Sequence, residues 1–325
     1  MTCGIRPDAI LVLMPVYNDW QVVPIVLERL DAALAGTGTP VEVILVDDGS
    51  SEAPDRQAFG HARYRAIQDI TALRLTRNLG HQRAIAIGLA YVNAHRGGHA
   101  VVVMDADGED IPEHVPRMLE AQHLAPSTIV FAQRARRSEG IVFRFFYRLY
   151  RVTHRLLTGA GISFGNFSVV SRQLLPRLVC LPELWNHYPS TVVKTRLPVT
   201  MVPLERGTRL AGRSQMRLTT LVLHGLGALA VHGDVIGVRA LLATIGATLV
   251  SAIGILTVIV IRVFTTLAIP GWASFVVAVL AAILLQTILL SLVFVFITLN
   301  SRSYSTIVPH RNFPDFVAGE EALFP

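Results

Sequence analysis

Apolar positions fall in two styles along this chain. Through residue 208, short apolar runs alternate with amphipathic stretches; beyond 235 polar positions almost vanish. Residues 10–14, 41–46, 73–75, 101–104 and 127–133 read as strands. Continuous apolar runs of this kind point to strands covered on both faces. Helices are expected over 20–35, with Asn18 or Asp19 as cap, and over 83–93. Residues 165–172 read as a loop into a short strand, and 199–203 as the last strand of the domain. A polar cluster follows each early strand: Pro15 to Asp19, Asp47 to Ser50, Arg77 to Gln82, and Asp105 to Asp110. That is the pattern of a doubly wound α/β domain with its site along one sheet edge.

The strand at 101–104 runs into Asp105, Asp107, Glu109 and Asp110. Asp105 and Asp107 can reach one cation from a strand end. Hard oxygen donors without Cys or paired His suit Mg2+ or Mn2+. An acidic turn capping the next helix, with Pro112 at its start and Glu113 in its first turn, accounts for the same residues. Asp47-Asp48-Gly49-Ser50 likewise reads as a turn and cap. Arg144, Arg148, Arg151 and Arg155 lie at near-helical spacing over 141–157, where like charges repel. They suit an anionic partner, lipid headgroup or phosphate, or form a solvated basic face. Arg206 to Ser214 is a basic, glycine-containing loop able to hold phosphates, without P-loop spacing. Residues 184–189, with Trp185, His187 and Tyr188, read as a sugar platform or as packing, and a lone His187 is no metal site.

From Val235 to Leu299 only Arg239 and Arg262 are charged. Uncharged runs at 240–261 and 272–299 exceed the roughly 20 residues needed to span a bilayer. Trp272 would anchor at the interface, and the short loop near Pro270 and Gly271 makes a hairpin. Arginines before Arg239, and Arg302 and Arg311 after it, predict a cytoplasmic domain and tail. The expected divisions are a globular domain at 1–208, a basic loop and juxtamembrane amphipathic helix at 209–235, two transmembrane helices at 236–300 and a cytoplasmic tail at 301–325.

Composition agrees: 52% hydrophobic residues and a mean hydropathy of +0.49 are too apolar for an ordinary soluble enzyme. The net charge of +6 is carried almost wholly by arginine, Lys194 being the sole lysine. A GC-rich genome would produce that bias too. The charge fits anionic lipid or phosphorylated substrates, and no basic stripe with interleaved aromatics points to nucleic acid. Cys3 and Cys180 are too few for a disulfide scaffold or a zinc site, so a reducing compartment is expected. Residues 1–9 have no apolar segment of the kind a signal peptide carries.

The Pro-Val-Tyr-Asn, Val-Asp-Asp-Gly-Ser, Arg-Asn-Leu-Gly-His-Gln and Met-Asp-Ala-Asp elements, in that order, resemble family-2 glycosyltransferases of the GT-A fold. The resembling branch holds dolichol-phosphate mannose synthases and undecaprenyl-phosphate sugar transferases. The likeness runs from about Leu11 to Ala240, and the hairpin fits it. It implies a GT-A, Rossmann-like α/β catalytic domain followed by a two-helix transmembrane hairpin. Pro15, Tyr17, Asp47, Asp48, Arg77 and Gln82 would bind the donor nucleotide. Asp105 and Asp107 would hold Mg2+ or Mn2+ on its diphosphate, and Arg209 and Ser214 would close over the phosphates. Glu109 stands where the family has Gln, and Asn166 where it has Asp.

The expected activity is inverting, metal-dependent transfer of a hexose, from a UDP-sugar by resemblance, to polyprenyl (undecaprenyl) phosphate at a bacterial inner membrane, for the cell envelope. Asp105, Asp107, Glu109 and Arg134 form the expected catalytic set, with Arg136, Arg144 and Arg148 for the acceptor phosphate. A phosphate monoester, with a second pKa of about 6, needs no base, which suits Asn166. Transfer to a lipid or glycan hydroxyl would want Glu109 or Asp110 as base. The reading of another class is a non-catalytic nucleotide-sugar-binding membrane module. A two-span footprint fits a homo-oligomer.

Overall fold

The computed structural model describes residues 9–60, 64–134, 152–153, 155–159, 161, 164–210, 225–265, 271–303 and 307–324. In chain order come β1 (Ile10–Val16), α1 (Val23–Leu34), β2 (Val41–Asp47), β3 (Ile67–Leu75), α2 (His81–His95), β4 (Ala100–Val103), α3 (Val115–Leu124), β5 (Ile129–Arg134) and β6 (Ser168–Ser171). There follow α4 (Leu175–Val179), α5 (Tyr188–Lys194), β7 (Val199–Leu204), α6 (Gly233–Phe264), α7 (Trp272–Ser303), α8 (Pro309–Asn312) and β8 (Val317–Phe324). The described residues form two compact units: the sheet with its helices and 307–324, and α6 with α7 and the described part of 152–159.

The sheet runs β7-β5-β6-β4-β1-β2-β3-β8. β4, β1, β2 and β3 are mutually parallel, as are β5 and β7; β6 and β8 run antiparallel to their neighbours. The apolar runs follow from burial on both faces. Val12 and Met14 of β1 join Val26, Leu27 and Leu30 of α1 in one core. Leu11 and Leu13 join Ile85 and Leu89 of α2 in the other. Alternate side chains of one strand thus feed opposite cores. A methyl at Gly88 of α2 would sit 2.5 Å from Leu13 Cδ1, so this glycine sets how closely the helix lies on the sheet.

Three expectations about the elements change. β3 starts at Ile67, not near 73, because Gln68, Asp69 and Thr71 hide it. β7 is not the last strand. The tail expected over 301–325 contributes β8, which pairs with β3 from Leu75↔Val317 to Ile70↔Phe324. Its acidic residues have partners: buried Arg96 lies 2.8 Å from Glu320 and 3.4 Å from Asp69, and Arg56 meets Glu321. Neither Asn18 nor Asp19 caps α1, which begins at Val23 with no side-chain cap.

In the second unit, α6 and α7 are each long and apolar enough to cross a membrane. Their facing hydroxyls bond across the pair, Thr248 Oγ1 to Thr287 Oγ1 at 2.8 Å and Ser291 Oγ to Thr244 Oγ1 at 2.7 Å. Such hydroxyls tie helices together where no water competes. Leu242, Leu249, Phe275 and Leu289 are among the exposed side chains, as a lipid-facing surface requires.

Candidate active site

The loops after β1, β2 and β3 are knitted into one platform. The Asn18 backbone N–H donates to Ser50 Oγ at 3.0 Å, and Ser51 donates to Asn18 Oδ1 from its backbone N (2.9 Å) and its hydroxyl (3.0 Å). Asn18 holds a left-handed φ of 55° to do so, a conformation Asn tolerates better than most residues. The Ser50 N–H donates to Asp47 Oδ1 at 2.9 Å. Asp48 is buried, and its two oxygens accept from Leu79 N (2.7 Å) and Gly80 N (2.9 Å), fixing the turn that opens α2. Burial pushes its pKa up against the pull of those two bonds. Gly49, at φ +72°, lies so close to the Arg77–Asn78 backbone that an added Cβ would sit 2.6 Å from Asn78 N. Pro15 is buried in β1 opposite Val46, while Tyr17 and Arg77 are exposed.

The turn after β4 carries the carboxylates. Asp110 is buried, and its Oδ2 accepts from Asp105 N at 2.9 Å; Asp107 Oδ1 accepts from Glu109 N at 2.9 Å. Residues 205–210 lie against this turn through Gly207 N to Glu109 O (2.9 Å) and Leu210 N to Asp107 O (3.1 Å). Arg206 pairs with the Glu109 carboxylate. Arg209 Nη2 donates to both Asp19 oxygens, and its Nη1 lies 3.5 Å from Asp107 Oδ2. Burial, then the adjacent Asp105 charge, pushes Asp107 up to about 6 against the pull of Arg209.

A side-chain cluster joins the expected residues Asp105 and Gln82 to His81 and Asn166, which the expected site set does not include. His81 Nε2 stands 3.1 Å from Asp105 Oδ1 and 3.0 Å from Asn166 Nδ2. Partial desolvation disfavours the imidazolium of the still accessible His81, but Asp105, with Asp110 and Asp107 beyond it, leaves its pKa above the ordinary value. Gln82 Nε2 donates to Asn166 Oδ1 at 2.9 Å, and Gln82 Oε1 accepts from Tyr188 N at 2.7 Å. His81 lies inside the polar cluster after β3 and inside the Arg-Asn-Leu-Gly-His-Gln element, a placement that by itself assigns it no role; Asn166 reaches the cluster across 85 residues.

The donor set fits a hard divalent cation. Asp105 and Asp107 are both partly buried, and the like charge that lifts Asp107 is what a cation would relieve. Among the described residues no group of three or more His, Cys, Asp or Glu forms a closed metal cage. Mg2+ commonly takes one or two carboxylates and leaves its other positions to water and substrate phosphates.

Of the expected site residues, the structure brings together Asp47 and Asp48 on the loop platform, and Asp105, Asp107, Glu109 and Arg209 at the β4 turn. Gln82 faces Asn166 and Tyr188 instead of open space. Arg136, Arg144, Arg148 and Ser214 lie outside the described residues, as does the side chain of Arg134. The aromatic stretch at 184–189 is packing: Tyr188 is fully buried 5.5 Å from Phe131, and Trp185 lies 4.8 Å from Phe316. His187 caps α5 by accepting from Ser190 N.

Residues 11–177 match the model of glycosyl transferase family 2. An uncharacterized glycosyltransferase, YkcC, of Bacillus subtilis is 27% identical over 277 residues, covering 82% of this chain and 81% of that protein. An undecaprenyl-phosphate 4-deoxy-4-formamido-L-arabinose transferase of Erwinia tasmaniensis is 27% identical over 226 residues, covering 65% of this chain and 64% of that protein. Among solved structures, glucosyl-3-phosphoglycerate synthase of Mycobacterium tuberculosis, bound to Mn2+, UDP-glucose and phosphoglyceric acid, shares the fold with a TM-score of 0.50 at 17% identity, over 71% of this chain and 80% of that one. Domain match, sheet and strand-end carboxylates agree: the chain belongs to glycosyl transferase family 2.

Proposed function

We propose that the chain transfers a hexose from a nucleotide-sugar, a UDP-sugar by preference, to a polyprenyl phosphate at the cytoplasmic face of a membrane, with inversion. The observation that carries this reading is the juxtaposition of Asp105 and Asp107 at the end of β4, with Arg209 3.5 Å from Asp107, in a chain that also has two membrane-length apolar helices. The acceptor named for the Erwinia relative supports it.

Asp105 and Asp107 would hold Mg2+ or Mn2+, which supplies Lewis-acid neutralisation of the leaving diphosphate. Arg209 would turn its planar fork from Asp19 to the diphosphate oxygens. Asp47, Tyr17 and Arg77 would meet the nucleoside beside the loop platform, while Asp48 holds that platform together. An acceptor phosphate oxygen attacks the anomeric carbon as the carbon–oxygen bond to the diphosphate breaks, and the nucleoside diphosphate leaves with that electron pair. No proton moves in this step, so no base is required. Arg134, Arg136, Arg144 and Arg148 are the proposed acceptor-phosphate residues.

A hydroxyl acceptor would need a free carboxylate. Glu109 is engaged by Arg206 and Asp110 by the Asp105 backbone, which favours the phosphate. The deciding experiment incubates purified protein with undecaprenyl phosphate, Mg2+ and a panel of UDP- and GDP-sugars. Lipid-linked sugar and nucleoside diphosphate are expected only with lipid phosphate, and neither with Asp107→Ala. Donor binding without turnover under any condition would overturn the reading in favour of a binding module.

A further inference from the structure

We propose that His81 is a positioning residue for Asp105, itself held by a hydrogen-bond chain that ends on the backbone of α5. The inference rests on reading Asp105 as a cation ligand. The chain can be oriented link by link. The Tyr188 N–H donates to Gln82 Oε1 at 2.7 Å, which fixes the Gln82 amide. Its Nε2 then donates to Asn166 Oδ1 at 2.9 Å, which turns the Asn166 amino group to His81 Nε2 at 3.0 Å. The same ring nitrogen lies 3.1 Å from Asp105 Oδ1.

Each link has its own support. Gln82 is buried, so its amide groups must find protein partners. Asn166 is tied a second time, since Ser168 Oγ donates to its carbonyl oxygen at 2.8 Å and contacts the Tyr188 hydroxyl at 2.8 Å. His81 opens α2 immediately after the Leu79–Gly80 turn that Asp48 grips. The ring is therefore held by its helix and set between an amide and a carboxylate that share its Nε2. Nε2 has room for one proton or one lone pair, so it accepts from Asn166 when unprotonated and donates to Asp105 when protonated, the two bonds alternating at one atom.

A partner that contacts a metal-binding carboxylate limits its rotation and fixes which oxygen faces the ion. Asn166 suits this task because it is neutral. A carboxylate at 166 would set a further negative charge beside Asp105 and Asp107, where like charge already lifts Asp107. Asn166 is thus a link of the support, and its lack of a base function costs the reaction nothing.

The test uses the full chain in detergent without donor and follows Mn2+ uptake by the loss of the free-ion electron paramagnetic resonance signal. His81→Ala is expected to weaken Mn2+ binding about tenfold or more. His81→Gln, whose amide nitrogen reaches nearly the position of Nε2, should recover most of the loss, and Asn166→Ala should fall between. In turnover, the defect should appear in the Mg2+ concentration needed and not in donor KM at saturating Mg2+. Asn166→Ala leaves His81 in α2 and gives the same reading should His81→Ala fail to fold. Wild-type affinity in both alanine variants would overturn the inference. Wild-type protein that takes up no Mn2+ would overturn the cation reading of Asp105, and this inference with it.

Discussion

Arg209 meets Asp19 through one amino nitrogen, Nη2, which donates to both carboxylate oxygens at 2.9 and 2.8 Å. Its second amino nitrogen stands 3.5 Å from Asp107. A guanidinium shared by two carboxylates is poised for a diphosphate, whose paired non-bridging oxygens accept the same forked N–H bonds with more charge. Arg209→Lys keeps the charge and loses the fork. It should lower kcat/KM for the donor at least tenfold, about 1.4 kcal/mol, with melting temperature unchanged. Steady-state kinetics at saturating acceptor check this.

Protons and cations should compete at Asp107. Its pKa is pushed up to about 6 by burial and then by Asp105, so competition starts about two pH units above where an ordinary aspartate would begin it. Only the ionised form ligates. Mn2+ affinity should hold above about pH 7 and fall towards tenfold per pH unit below about 6. Titrations across that range measure the slope. Chelation at pH 7.5 should abolish turnover, and Mg2+ or Mn2+ should restore it.

Asp48→Asn tests the platform. The Asn amino group cannot accept, so Leu79 or Gly80 would lose its buried acceptor. An unsatisfied buried group of this kind costs about 1–3 kcal/mol. Chemical denaturation should report a loss of that order, with donor binding weakened because the β2 and β3 loops separate.

Arg96 and Glu320 should respond unequally. Arg96 is buried and its partner Asp69 nearly so, whereas Glu320 is half exposed. Arg96→Ala should cost on the order of 3 kcal/mol by stranding Asp69. Glu320→Ala should cost under about 1 kcal/mol. Equal losses would mean that β8, not the ion cluster, carries the stability.

The parts of the fold legible in the sequence are those where one local rule suffices. β1 and β4 are apolar throughout, and β2 apart from Glu42 and its last residue Asp47, because each feeds two cores, and α6 and α7 are apolar over a membrane-crossing length. The Asp105–Asp110 turn showed itself by charge density at a strand end. The opening of β3 and all of β8 were hidden for a shared reason. Asp69, Glu320 and Glu321 look like surface loop residues until Arg96 and Arg56, distant in sequence, neutralise them. Asn18 and Asp19 passed as helix caps because a cap and a loop clamp use the same side-chain chemistry. His81 and Asn166 gave no joint signal, since only the folded sheet brings α2 beside the segment entering β6.

The pairing of β8 with β3 also orders the protein's biosynthesis. Translation delivers β3 first, then both apolar helices, and only then the strand that covers its edge. An uncovered edge strand is a template for aggregation, and here its β8 partner lies 242 residues further along the chain, counted from Leu75 to Val317. The sheet therefore gains its eighth strand only after α6 and α7 have been made.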